Sequence, residues 1–477
     1  MRKVCSQILI LSSAFLILNP DCFGQTPITE PTIDHRIPEE VLDGDGDPLP
    51  VEVGQLPLDF FDNFSWQMFV ALNWPAVADK RGVPDTTKTI KDPGRRVWEA
   101  WKSAYEIVQP NGAQPSHWES LDAETPCPSI SAENSALKRV IGTFAKSGFG
   151  DFNQVGFGNT IGPLVCQNKT YTRFEVRVNK QEFDFIRDNK LYLKSVLDKR
   201  ALSKLPLRFP NGSIEVKAAW REFTSDETQE LIDTFYSITA QVYDPVDQVC
   251  REKKLGLVGL HIVHKTPLRP QWIWSSFEHI SNVPKHGTTP DQNDKFSYND
   301  PSKEQETDSP AAPVTVDNEP VADPTPTQVI REFKLHPSAG GNVGTVAMNQ
   351  RYQQELAGSV WANYQLVTTQ WPRETHNPGV SPPDNIAGDP FPAMIQNPAD
   401  PNSVSVSNTT MESYVQGTSC MACHNVARRK NLDFVFFLDF HAFDDTGLAG
   451  AKPNSLNDLK NLIKSIQNLK SNHADNE

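Results

Sequence analysis

The chain has 477 residues, 45 basic against 59 acidic side chains and a formal charge of −14. That balance excludes the basic surface a nucleic-acid partner requires. The length allows roughly two or three domains and a large core.

In chain order, Arg2 and Lys3 precede the apolar run Ile8–Leu18, followed by Pro20 and the small-residue stretch "CFGQ". This is the order of a secretory signal: a charged start, an apolar stretch and a cleavage point after Gly24. The run is short of the about 20 apolar residues that span a bilayer. Residues 1–24 are therefore expected to direct export, and no later segment is apolar enough to cross a membrane. A mature chain so produced keeps Cys127, Cys166, Cys250, Cys420 and Cys423. Two of these crowd into one C-x-x-C; the remaining three allow one disulfide and one free thiol, with Cys127 and Cys166 the pair expected.

Residues 25–58 are rich in Pro, Asp and Glu and read as an extended lead-in. Within them Asp43–Asp47, "DGDGD", lacks the Gly and Glu of a calcium loop and reads as a polar turn. Residues 59–285 form a mixed α+β region. "FSWQMFVALNW" places Trp66, Phe69, Val70 and Trp74 on one helical face. "DPGRRVWEAWKSAYEIV" is expected to form a second helix, with Asp92 as N-cap and Pro93 as its first residue. Alternation in "YTRFEVRVN" and "SIEVKAAW" predicts strands, and "KLGLVGLHIVHKT" and "QWIWSSFEH" predict two more. Between them "SDETQELIDTFYSIT" is expected to be a helix capped by Ser225 or Asp226.

Residues 286–327 carry few large apolar groups and are expected to be a disordered linker or excursion. Residues 328–477 are expected to be mainly helical. Met348, Tyr352, Leu356, Val360 and Tyr364 recur at near-helical spacing, Thr409 with Glu412 resembles a capping box before Gly417, and "NSLNDLKNLIKSIQNLK" is amphipathic.

The chemistry is concentrated in Cys420, Cys423 and His424. The spacing C-x-x-C-H is the attachment signature of c-type haem. On a helical turn the two thiols project from one side, where they can form thioethers with the haem vinyl groups, and the following imidazole can reach the iron. With 7 Cys and 11 His in 477 residues, chance predicts about 0.002 such frames per chain. A zinc site would require a further ligand cluster, and a thioredoxin-like pair a preceding strand; neither is apparent.

From Cys420 to His424 and the flanking helices the chain resembles c-type cytochromes. The resemblance implies one haem c per chain, covalently held by Cys420 and Cys423, with His424 as an axial iron ligand and redox work in the periplasm or outside the cell. The fold class expected is α+β: a mixed helix/sheet N-terminal region with a mainly α-helical C-terminal haem-bearing region. Met421 is the last methionine, so a second axial ligand would come from His261, His336, Met348, Met411 or His441. His261 and His264, three apart in a strand, are expected to face opposite sides. Two functions follow: an exported electron carrier serving a redox protein or a small-molecule donor or acceptor, or a haem enzyme (peroxidase, oxygenase or dehydrogenase subunit) with an open iron position and a pocket in the large domain.

Overall fold

The structure, a computed structural model, describes residues 30–49, 58–109, 111–120, 139–141, 163–203, 207–244, 246–247, 249–303, 321–336, 343–372, 394–395, 408–414, 416, 420, 424, 427 and 432–446. The expected signal segment, the Pro-rich stretch 376–401 apart from residues 394–395, and the amphipathic segment 454–470 lie outside the described residues.

Nine strands form one sheet: β1 (Lys102–Ser103), β2 (Val140–Ile141), β3 (Arg173–Val178), β4 (Ile214–Glu222), β5 (Ser237–Asp244), β6 (Val249–His264), β7 (Ile273–His279), β8 (Tyr364–Pro372) and β9 (Met394–Ile395). The order is β1-β3-β4-β6-β7-β8-β9, with β5 beside the first half of β6 and β2 beside β5. Every pairing is antiparallel except β2 with β5. The helices are α1 (Leu58–Leu72), α2 (Ala104–Ile107), α3 (Lys180–Asp188), α4 (Lys194–Leu202), α5 (Gln229–Ile232), α6 (Gly344–Glu355) and α7 (Phe437–His441).

This arrangement corrects the expected fold class. The described molecule is mostly antiparallel sheet with few helices, and its C-terminal part is not a mainly helical region. The periodic residues from Met348 to Tyr364 do not form one helix. The helix ends at Glu355, Gly358 takes a φ of +79°, and Tyr364 begins a strand of the central sheet. Val367, Thr368 and Thr369 favour that extended conformation, and the i+4 spacing that crosses Gly358 is accidental. Thr409 donates its hydroxyl to Glu278 Oε2 at 2.8 Å instead of capping a helix, and residues 409–414 are a turn.

Two other expected helices are also broken. Asp92 accepts from the backbone and hydroxyl of Thr89 in a turn. Trp98–Ala100 is a 3₁₀ turn, and Lys102 and Ser103 pair with β3. What holds this segment is tertiary: Trp98 Nε1 donates to Asn73 Oδ1 at 3.0 Å and Arg96 donates to Asn73 O at 3.1 Å. The segment from Ser225 is helical only over α5, capped by Thr228, and from Ser237 it is β5. The two strands predicted by alternation are present as β3 and β4, and the two further predicted strands as β6 and β7. Asp43–Asp47 is the polar turn expected, with Asp43 Oδ1 accepting from Asp45 N and Asp47 N at 3.0 Å.

One face of the sheet carries α1, which is buried nearly all round. Ser65 Oγ lies 2.7 Å from both Ser275 Oγ and Thr369 Oγ1, and Thr369 Oγ1 donates to Asp62 Oδ1 at 2.7 Å. Over α1 lies α6. Trp66 stacks on Tyr352 at 4.9 Å and donates to Asn349 Oδ1, while Asp59 accepts from Val343 N and Gly344 N. These bonds satisfy buried polar groups that would otherwise cost about 1–3 kcal/mol each. Of residues 286–327, Tyr298 is fully buried, its hydroxyl 2.9 Å from Thr172 Oγ1, and Thr327 Oγ1 accepts from Val165 N at 3.1 Å.

Disulfide chemistry departs from expectation. Cys166 is a buried free thiol 3.7 Å from Thr172 Oγ1, whereas Cys250 is disulfide-bonded.

His279, at the end of β7, gives an acid-stability prediction. Its Nε2–H donates to Thr234 O at 3.0 Å and its Nδ1 accepts from Ser281 N at 3.1 Å, so the buried ring is neutral. Burial pushes it down to about 3, and burial does the same to His264. Below the ordinary value of 6.5 the unfolded chain binds protons these rings refuse, so stability falls as pH drops from there toward 3. The loss is about 1.4 kcal/mol per pH unit for each ring. Urea midpoints measured across that window are expected to fall on acidification, and His279→Phe to remove one ring's share of the slope.

Candidate functional site

The second face of the sheet carries Cys420 and His424 of the C-x-x-C-H frame. Register pairs Glu215 with Val263, Val263 with Trp274, and Trp274 with Gln370, so these four side chains form one row across β4, β6, β7 and β8. Upon this row lie Cys420 and His424; both, and Ala427, have helical backbone. Gln370 Oε1 accepts from Cys420 N at 2.8 Å. The His424 ring lies 4.2 Å from Trp274, tilted by 51°, and 5.1 Å from Phe436.

The imidazole is oriented by the chain beyond it. His424 Nδ1 lies 2.7 Å from Phe434 O. A carbonyl can only accept, so Nδ1 carries the proton and, in the neutral ring, Nε2 carries the lone pair. This is the tautomer in which a histidine ligates a metal through Nε2 while its other nitrogen is held by a carbonyl. The turn that aims this carbonyl is strained: Asp433 and Phe434 have φ of 51° and 72°, unusual for residues other than glycine. Such strain costs about 1–3 kcal/mol per residue and persists only where the surroundings over-determine it. Here Lys265 Nζ sits 2.5 Å from Asp433 Oδ2, Phe209 N donates to the same oxygen at 2.8 Å, and Trp272 Nε1 donates to Asp433 O at 2.8 Å.

Cys420 and His424 are both half-buried. Cys423 lies outside the described residues. Among the further ligand candidates, His261 shares this sheet face, one register row from Trp274, with Nε2 3.5 Å from Glu412 Oε2. His264 faces the other way, 5.8 Å from Phe64, as the strand period requires. His441 ends α7 and packs on Phe437 at 5.1 Å; burial pushes it down to about 4, with the Lys217 charge acting in the same direction. Met348 lies in α6, packed on α1, Met411 packs with Cys166 and Val258, and His336 is buried. Among the described residues no group of three or more His, Cys, Asp or Glu side chains converges to hold an ion by itself.

Sequence reasoning missed Trp274, Gln370 and the Asp433–Phe434 turn. Trp274 fell in a predicted strand, but nothing local ties it to a histidine 150 positions away, and Gln370 fell beyond an expected helix.

No known protein family, curated protein or solved structure matches this chain.

Proposed function

We propose that the chain is an exported monohaem c-type cytochrome, with haem c attached through Cys420 and Cys423 and its iron ligated by His424 Nε2. The observation that carries this reading is the 2.7 Å bond from His424 Nδ1–H to Phe434 O. It sets the ring as a ligand before any iron arrives. The residues present fit the group: one sulfur donor and the imidazole lie on one face of the sheet, Trp274 and Phe436 flank the ring, and Gln370 fixes the start of the frame.

Haem c supplies reversible one-electron exchange. The chain's own residues hold the imidazole in one tautomer and enclose it with aromatic surface, which limits water at the ligand. Export to the periplasm or the cell exterior is supported by the disulfide at Cys250, a bond that persists in oxidising compartments. No described helix is long and apolar enough to cross a membrane. The reaction partner in this reading is a redox protein or a small-molecule donor or acceptor.

A second reading, a haem enzyme with an open iron position, is favoured by His261 beside Glu412 on the same sheet face, a histidine–carboxylate pair able to hold or pass a proton. Visible spectra of the reduced full chain, with and without carbon monoxide, separate the two. An unchanged spectrum supports the carrier, and a shift supports the enzyme. Protein that is colourless when purified from an exporting host that attaches haem c would sink both.

A further inference from the structure

Glu182, in α3, is fully buried, and neither of its carboxylate oxygens has a hydrogen-bond partner. Glu215, in β4, is 2% exposed; its Oε2 has no partner and its Oε1 lies 3.3 Å from Lys217 Nζ. The charged groups facing Glu182 are Glu215 and Lys217 on β4, Lys265 just beyond β6 and Asp433 in the turn before α7; Lys217 also faces His441. Lys265 is committed to Asp433 at 2.5 Å and Lys217 to Glu215. Both lysines are thus engaged by Glu215 and Asp433, and among the described residues Glu182 has no ion pair. Burial with neither cation nor donor favours the neutral, protonated form of this carboxyl, so the pair holds a proton more readily than solvated carboxylates do. Burial and the Glu215 charge both push Glu182 up, and burial raises Glu215 as well.

The cluster adjoins the haem frame. Glu215 belongs to the row that runs through Val263 and Trp274 to Gln370. With strands about 4.8 Å apart, it lies roughly 10 Å along the sheet from the tryptophan beneath His424. An added electron there acts on the pair through a low-dielectric interior, where charges interact more strongly than in water.

We propose that Glu182 and Glu215 form a buried proton-exchange site whose occupancy follows the oxidation state of the haem. This rests on the haem reading above. As one electron enters from an external one-electron donor, the pair takes up one proton from solvent, forming an O–H bond on a carboxylate oxygen, so the two charges cancel. When the electron leaves, that bond breaks and the proton returns to solvent.

Redox titration of the purified haem-bearing full chain across neutral pH tests the coupling. The midpoint potential is expected to fall as pH rises, with a slope approaching about 59 mV per unit, one proton per electron. Glu182→Gln is expected to reduce the slope to less than half. A potential independent of pH, or a slope that Glu182→Gln leaves intact, overturns the proposal. If that variant does not fold, Glu215→Gln serves in its place with the same expectation and the same overturning result. Infrared spectra supply a readout free of the haem: a protonated-carboxyl C=O band at neutral pH, diminished in whichever variant folds. The variant is needed for assignment because Asp62, pushed up to about 7 by burial on the other sheet face, adds a band of its own. Absence of any band from the pair overturns the proposal. Should the chain carry no covalent haem, the reading of the frame fails, while the infrared band still reports whether Glu182 holds its proton.

Discussion

Replacing Cys423 by alanine is expected to yield exported, full-length protein whose haem stain on a denaturing gel is lost or falls at least tenfold. The attachment frame uses two sulfurs, and Cys420 is the one that the fold already fixes. Its amide is bonded to Gln370 at 2.8 Å, and it lies on the same sheet face as His424. A lone thioether at Cys420 would leave the macrocycle free to pivot relative to the imidazole, so the geometry required for attachment is lost with the second sulfur. His424→Ala provides the complement. It retains both sulfurs but removes the proposed ligand, whose ring Phe434 O orients, so any covalent stain that survives should be accompanied by an altered reduced spectrum. A Cys423→Ala protein that stains like the wild type would remove the basis for the cytochrome reading.

Glu175→Ala is expected to cost about 3–5 kcal/mol of folding stability, read as a lower denaturant midpoint. Glu175 lies in β3 with both strand faces buried. Arg177 Nε donates to its Oε2 at 3.0 Å, Trp220 Nε1 to its Oε1 at 2.8 Å, and Arg139 bonds both oxygens. Removing this carboxylate leaves two guanidinium groups facing one another out of water, and a buried ion pair broken from one side is far more damaging than one replaced whole. Burial alone would raise the Glu175 carboxyl, but the charges of Arg139 and Arg177 outweigh it and hold the group below its usual range. Its contribution is therefore present above the ordinary carboxylate value of 4.5 and disappears as pH falls through the lowered folded value. The variant should lose least stability, relative to wild type, in strong acid. A loss below about 1 kcal/mol at neutral pH would place the network among the weak surface ion pairs.

The charges on β3 illustrate how far local pattern reaches. Alternation of Phe174, Val176 and Val178 with Arg173, Glu175 and Arg177 identifies a strand, and a strand forms. The same alternation ordinarily signals a solvated polar face, yet here that face is covered, and the charges neutralise one another across Arg139, Glu99, Glu222 and Trp220. Near-helical spacing misleads more severely. The row from Met348 to Tyr364 runs through Gly358, and the row from Val97 to Val108 runs through a strand pair with β3. In both segments hydrogen bonds to distant residues decide the backbone.

By itself, the sequence determined β3, β4, β6 and β7 and the spacing of Cys420, Cys423 and His424, because side-chain period and covalent reach act over a few residues. Tertiary structure alone decided that β8 enters the sheet, that Trp274 and Gln370 lie beneath the frame, and that the strained Asp433–Phe434 turn delivers a carbonyl to His424. Those placements depend on strand register and on donors finding acceptors from 50 to more than 200 residues away, and no local pattern encodes such pairings.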